Sequence, residues 1–283
     1  MEVATDLEAW RAAAAAARAA GRTVGLVPTM GALHAGHDSL VRAAQRAGDF
    51  VVLTVFVNPR QFNDPADLRA YPRDAAADRA RAAALGVDLL VEPPLSQMWP
   101  ADPAPTATTV HVAGLTDGLE GAGRPGHFDG VASVVTKLLV VTGPGRAYFG
   151  EKDFQQLAMV RQMVADLGFA VAIEACPIVR EPDGLALSSR NVRLSAAARP
   201  RALGLSRALA AAAGAPAPAS ALRARMRAVL EESGVEVAYA EVVDPLTLRP
   251  CDDAEHGLRR ALVAARVDGV RLIDNGPVLI TEA

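Results

Sequence analysis

Residues 49–57 read DFVVLTVFV, β-branched and aromatic with no polar alternation. Such a run is a strand buried on both faces, which needs helices above and below it. Further strands are expected at 23–27, 87–91, 147–149 and 170–175, with a strand-like piece at 108–112. Helices are expected at 5–20, 34–47, 74–85, 131–141 and 154–167, the first opened by Thr5 and Glu8 at capping-box spacing. Strands and helices alternating at these lengths predict an α/β fold with a doubly wound parallel sheet.

The stretch 23–39, TVGLVPTMGALHAGHDS, holds the most chemistry. Pro28 is expected to stop its strand, because it has no N–H to give to a sheet. Gly31 allows a tight turn, and a helix follows. A strand, a small-residue turn and a helix start make an anion site, since free N–H groups and the positive end of the helix dipole both point there. His34 and His37 sit three apart, which on a helix puts two imidazoles on one face. The same pair suits a surface or a metal site, but no third ligand of the right spacing lies nearby, and no metal site is expected in the protein itself.

Other features bound the function. The chain has 283 residues, is 51% hydrophobic and carries a net charge of −3, so it has length for one large domain or two ordinary ones and no electrostatic case for nucleic acid. No apolar run reaches the roughly 18 residues of a membrane span. The opening MEVATDLEAW carries acids ahead of Arg11, unlike a secretory signal. Two cysteines, Cys176 and Cys251, fit a reducing, cytoplasmic setting. Among 29 basic residues only Lys137 and Lys152 are lysine, so a compact ammonium at either place suggests a chemical reason.

Several loops lie where an open α/β sheet binds ligands, beyond strand carboxyl ends. Residues 58–72, with Asn58 and Gln61, follow the strand 49–57; turn chemistry is the competing reading. Residues 96–105 are expected as loop. Residues 118–130, GLEGAGRPGHFDG, are expected to lack regular structure, and Arg124 there could wrap an anion or sit in a solvated loop. Gly150, Glu151, Lys152 and Asp153 open a second strand–turn–helix start, now with a lysine at the anion position. Residues 177–194 leave the sheet; Ser188, Ser189 and Arg190 suit phosphate oxygens, or a serine caps a helix.

Beyond residue 196 the pattern changes. Helices at 196–213 and 219–232 flank GAPAPAS, a flexible linker by composition, and strands are expected at 235–243, 259–265 and 270–273. This order suggests a smaller C-terminal α+β domain, 177–283, after an N-terminal domain, 1–176. Arg223, Arg225 and Arg227 read as a solvated face.

Five segments taken together resemble one family: PTMGALHAGH at 28–37, FVNPRQF at 56–62, RPGHFDGV at 124–131, YFGEKDFQQL at 148–157 and LSSRN at 187–191. They look like the pantothenate synthetases, the pantoate–β-alanine ligases, in that order and over nearly the whole chain. EVVDPLTL at 241–248 and RLIDN at 271–275 resemble that family's small domain. HxGH alone is shared with other nucleotidyltransferases and class I aminoacyl-tRNA synthetases. Where the family often has Met before SSRN, this chain has Leu187, a swap that keeps volume and apolarity.

The resemblance implies a homodimer with a Rossmann-like nucleotide-binding domain and a C-terminal lid. It implies ATP-dependent joining of pantoate to β-alanine through a pantoyl adenylate, with release of pyrophosphate and AMP. His34, His37 and Lys152 would be catalytic, with His37 the proton donor. Met30, Gly31, His34, His37, Gly150, Lys152, Asp153, Val179, Leu187, Ser188, Ser189 and Arg190 would bind ATP, with Mg²⁺ bridging its phosphates. Gln61 and Gln156 would orient pantoate, and Gln61 would also lie near β-alanine. Arg124 would support the substrate side. A nucleotidyltransferase acting on a phosphorylated acceptor would not release AMP. A non-catalytic ATP-binding module would not turn over.

Overall fold

The strand Phe50–Val55 forms because its β-branched and aromatic residues bury themselves from both sides. The computed structural model describes residues 1–100 and 108–282. The chain divides into two units, Met1–Glu151 with Met159–Pro177, and Lys152–Ala158 with Ile178–Ala283.

The first unit is built on a six-stranded parallel sheet. Its strands are β1 (Glu2–Ala4), β2 (Val24–Thr29), β3 (Phe50–Val55), β4 (Leu89–Val91), β5 (Gly145–Gly150) and β6 (Val171–Cys176), in the order β1-β4-β3-β2-β5-β6. One face packs Val27, Val51, Leu53 and Leu90 against Leu40, Val41 and Ala44 of the helix Ala35–Arg46 and Ala82 of the helix Ala75–Ala84. The alternate set, including Leu26, Val52 and Ala147, is buried as well, and the helices Leu7–Ala19 and His127–Thr142 pack on each other and on β2. The doubly wound arrangement expected above is therefore present. Chain order reverses between β2 and β5, so the carboxyl ends of those strands mark the switch point where such sheets bind ligands.

Pro28 does not stop β2, which runs on to Thr29. The carbonyls of Thr23 and Thr29 accept from Phe50 and Phe56 on the β3 side. Strand alternation turns the Pro28 nitrogen to the other edge, where pairing with β5 ends at Leu26. The missing N–H thus costs no ladder bond. The first helix is capped by Asp6, whose side chain accepts from the Ala9 N–H, rather than by Thr5. The piece 108–112 is not a strand; the Val110 N–H goes to Ser133 Oγ instead. In the loop expected at 96–105, residues 101–105 lie outside the described residues, and Leu95–Met98 forms one helical turn.

The second unit contains an antiparallel meander of β7 (Glu236–Val243), β8 (Gly257–Val267) and β9 (Val270–Ile280). Helices Gly204–Ala213 and Ala219–Glu232 bury Leu205, Leu222, Met226 and Leu230 against Val263 and Leu272. β8 and β9 run well past the expected 259–265 and 270–273, joined by Asp268 and Gly269, both at positive φ. The expected helix 196–213 is two, Ala198–Ala202 and Gly204–Ala213. The linker 214–220 is pinned: Ala217 bridges to Ile280, and its carbonyl accepts from the Thr281 N–H. The arginine face is engaged too, Arg223 donating to the Cys251 carbonyl and Arg225 to those of Ala211 and Ala215.

Candidate active site

In the first unit the site grows out of the turn between β2 and the helix Ala35–Arg46. Thr29 Oγ1 donates to the Thr54 carbonyl at 2.6 Å and accepts from the Gly31 N–H at 3.2 Å. Gly31 and Ala32 both take positive φ, +79° and +50°. A Cβ on Gly31 would lie 2.7 Å from Asp78 Oδ2, so only glycine fits there. Asp78, 4% exposed, accepts from the Ala32 N–H at 2.9 Å and the Leu33 N–H at 2.7 Å. These bonds fix the turn that presents the histidines.

The histidines come together as the spacing suggests, although only His37 lies within the helix. His34 is the N-cap, extended at φ −140°, and His37 is the third helical residue. His34 Nδ1 accepts from the Gly36 N–H at 3.1 Å, and His37 Nδ1 accepts from the His34 N–H at 3.3 Å. An Nδ1 that accepts carries no proton, so each neutral ring holds its proton on Nε2. Two Nε2–H donors therefore stand at a helix N-terminus beside the switch point.

Gln61 follows β3. It is 9% exposed; Nε2 lies 3.1 Å from Met30 Sδ, and Oε1 accepts from Asn58 Nδ2 at 3.1 Å. Asn58 also donates to the Gly130 carbonyl and accepts from Trp99 Nε1, both at 3.0 Å. The Gln61 carbonyl accepts from His127 Nδ1 at 2.7 Å and from Arg124 at 3.4 Å. The glycine-rich segment is thus partly regular, with a turn at Glu120–Gly123 and a long helix from His127. Arg124 buttresses Gln61. Lys137 donates to the carbonyls of Gln97 and Met98 at 2.7 and 2.6 Å, and burial lowers its pKa. Its chemical reason is thus structural.

In the second unit Val179 and Leu187 face each other across a hairpin, the Leu187 N–H donating to the Val179 carbonyl at 2.9 Å. Ser188 caps the 3-10 turn Ser189–Arg193 through the Arg190 N–H at 3.2 Å, so the capping reading of this serine holds. Lys152 lies in the turn Glu151–Asp153, its ammonium 3.8 Å from Asp153. Gln156 is half-buried in the first turn of the helix Phe154–Asp166. Met30, Gly31, His34, His37, Gln61 and Gly150 thus belong to the first unit, and Lys152, Asp153, Gln156, Val179 and 187–190 to the second. Among the described residues no group of three or more His, Cys, Asp or Glu is placed to hold a metal.

Reasoning from sequence missed Asp78. Its signal was there: it stands four residues before Ala82, on the buried stripe of an otherwise alanine-rich helix, where a lone acid needs donors.

The family model for pantoate–β-alanine ligase matches residues 2–277. The chain belongs to the pantoate–β-alanine ligase family. It is similar to the pantothenate synthetase of Cereibacter sphaeroides (strain ATCC 17029 / ATH 2.4.9), 53% identical over 92% of this chain and 94% of that one. Among solved structures, the pantothenate synthetase of Thermus thermophilus superposes with a TM-score of 0.89 at 45% identity, covering 98% of this chain and 99% of that one. The pantoate–β-alanine ligase of Francisella tularensis, complexed with beta-gamma ATP and β-alanine, superposes at 0.81 with 32% identity, covering 98% and 97%. The ligase family thus accounts for both units.

Proposed function

We propose that the chain joins pantoate to β-alanine at the expense of ATP, through a pantoyl adenylate. The observation that carries this is the pair of imidazoles at the helix start, each with its Nε2–H on the side away from the cap. A carboxylate and a triphosphate repel each other, and their encounter needs fixed donors that carry no negative charge. A pantoate carboxylate oxygen attacks the α-phosphorus, and the bond to the bridging oxygen breaks as pyrophosphate leaves. His34 and His37 donate to the charge that develops there. The β-alanine amine then attacks the acyl carbon, AMP departs with the former carboxylate oxygen, and the amine proton is lost.

Lys152, Ser188, Ser189 and Arg190 hold the phosphates. Met30, Gly31, Gly150, Asp153, Val179 and Leu187 contact the nucleotide. Gln61 and Gln156 bind pantoate, because amides recognise hydroxyl and carboxylate oxygens without adding charge. Mg²⁺ fits as an ion carried on the ATP phosphates, since it keeps waters and takes substrate oxygens rather than a protein cage. When bound, it neutralises phosphate charge. A homodimer and a cytoplasmic setting complete the reading; the two buried, free cysteines suit the latter.

The test follows the oxygen. With ¹⁸O in the pantoate carboxylate, AMP should gain one label, and pyrophosphate should appear before β-alanine is added. Unlabelled AMP, or turnover with either acid absent, rules the reading out.

A further inference from the structure

Two consecutive residues of β9 bond to the segments of the second unit that carry Val179 and Lys152; the inference from these bonds rests on the reading of Lys152 and 187–190 above. Asp274 is 3% exposed and takes two nitrogens of Arg180, at 2.6 and 3.0 Å. Arg180 follows Val179 and bridges to Ala186, so this pair ties the base of the hairpin to β9. Asn275, 2% exposed, reaches the other element: its Nδ2 donates to the Lys152 carbonyl at 2.9 Å.

The Asn275 amide has one orientation. Its Oδ1 accepts from Arg260 Nε at 2.7 Å and from a second Arg260 nitrogen. A guanidinium only donates and a carbonyl only accepts, so the oxygen must face Arg260 and the nitrogen Lys152. The same guanidinium lies 4.4 Å from the centre of the Phe154 ring, two residues past Lys152. The turn bearing the ammonium is therefore gripped at its carbonyl and at the next aromatic, and neither contact uses the ammonium itself.

We propose that Asn275, oriented by Arg260, is a positioning residue for Lys152. It sets the main chain from which the ammonium reaches the triphosphate. Through Asp274 and Arg180 the same strand holds the segment leading to Ser188, so β9 gives both phosphate-binding elements one frame.

Asn275→Asp keeps the volume and the acceptor toward Arg260, but sets an oxygen against the Lys152 carbonyl. Pyrophosphate release is measured against ATP concentration in wild type, N275D, K152A and the double variant. N275D should lower kcat/KM for ATP roughly tenfold and leave KM for pantoate unchanged. In the K152A background it should cost less than about twofold, because no ammonium remains to be placed. Equal losses in both backgrounds, or an unchanged N275D, overturn the inference. Wild-type kinetics in K152A would instead sink the reading of Lys152 itself. Should N275D fail to unfold cooperatively, Arg260→Met decides: it keeps the apolar stem and lets the amide turn. It should show the same ATP-selective loss in smaller degree, and ATP kinetics left intact reject the proposal.

Discussion

The imidazoles of His34 and His37 stack, with ring centroids 4.1 Å apart and planes 25° from parallel. The Nδ1 atom of each is committed to a backbone N–H, so the proposed chemistry would use the side of each ring opposite the cap. Asn at position 37 can mimic Nδ1 as an acceptor but has nothing at Nε2. His37→Asn should therefore stay within about 0.5 kcal/mol of wild type in urea unfolding and lose on the order of 10²-fold in pyrophosphate release. His37→Ala should show the same kinetic loss and about 1 kcal/mol less stability. Equal stability losses in both variants would separate the ring from the cap.

Asp78 holds the histidine turn from behind, through two N–H groups. Asp78→Asn turns an amide nitrogen toward one of them and leaves a buried donor unpaired. Such a change costs about 1–3 kcal/mol. Because the misfit lies at Ala32 and Leu33, kcat/KM for ATP should fall along with stability, while KM for β-alanine stays put. Urea unfolding and initial rates read the two effects separately.

The parts of the fold legible in the sequence were those set by burial alone. The run 49–57 needed no context to be a two-sided strand, and β3 lies within it. The segments that differed were set by a neighbour. Pro28 continues β2 because β5 has already parted from that edge. The β8–β9 hairpin turns on Asp268 and Gly269, a two-residue signal that the sequence carries and that the shorter strand limits overlooked. At the site, the histidines stood out in a small-residue turn and Gln61 in the polar loop beyond β3. Asp78 and Trp99 did not, because each acts on a residue far away in the chain, and His127 showed only as part of the glycine-rich segment.

Gly130 marks where the helix His127–Thr142 meets the turn that carries Gln61. A Cβ there would lie 2.2 Å from the Arg60 carbonyl oxygen and 2.7 Å from the Gln61 nitrogen. Neither backbone atom can move without disturbing Asn58, which donates to the Gly130 carbonyl. Gly130→Ala should destabilise the protein by about 1–3 kcal/mol and raise KM for pantoate. A variant with unchanged pantoate kinetics would disconnect this crossing from substrate binding.

Asp49, 2% exposed, lies at the opposite, amino-terminal end of the strands from the histidine turn. Its Oδ2 accepts from the Tyr148 hydroxyl at 2.7 Å and its Oδ1 from Arg146 at 2.5 Å. Burial, with the Asp49 carboxylate beside it, pushes the Tyr148 pKa well above its ordinary value of about 10. The folded protein thus keeps that proton at a pH where the unfolded chain gives it up. Tyr148 contributes its full stability below about pH 10 and progressively less above it, because the unfolded state then binds fewer protons. Tyr148→Phe should cost about 1–3 kcal/mol at neutral pH, by leaving a buried carboxylate oxygen unpaired, and should show a shallower decline between about pH 10 and 11 than wild type. Ligase activity at about pH 8 should be unchanged, since the pair lies far from the histidine turn and its proton stays in place there. Parallel stability curves for the two proteins through that alkaline window would show that the hydroxyl is not held as its surroundings imply.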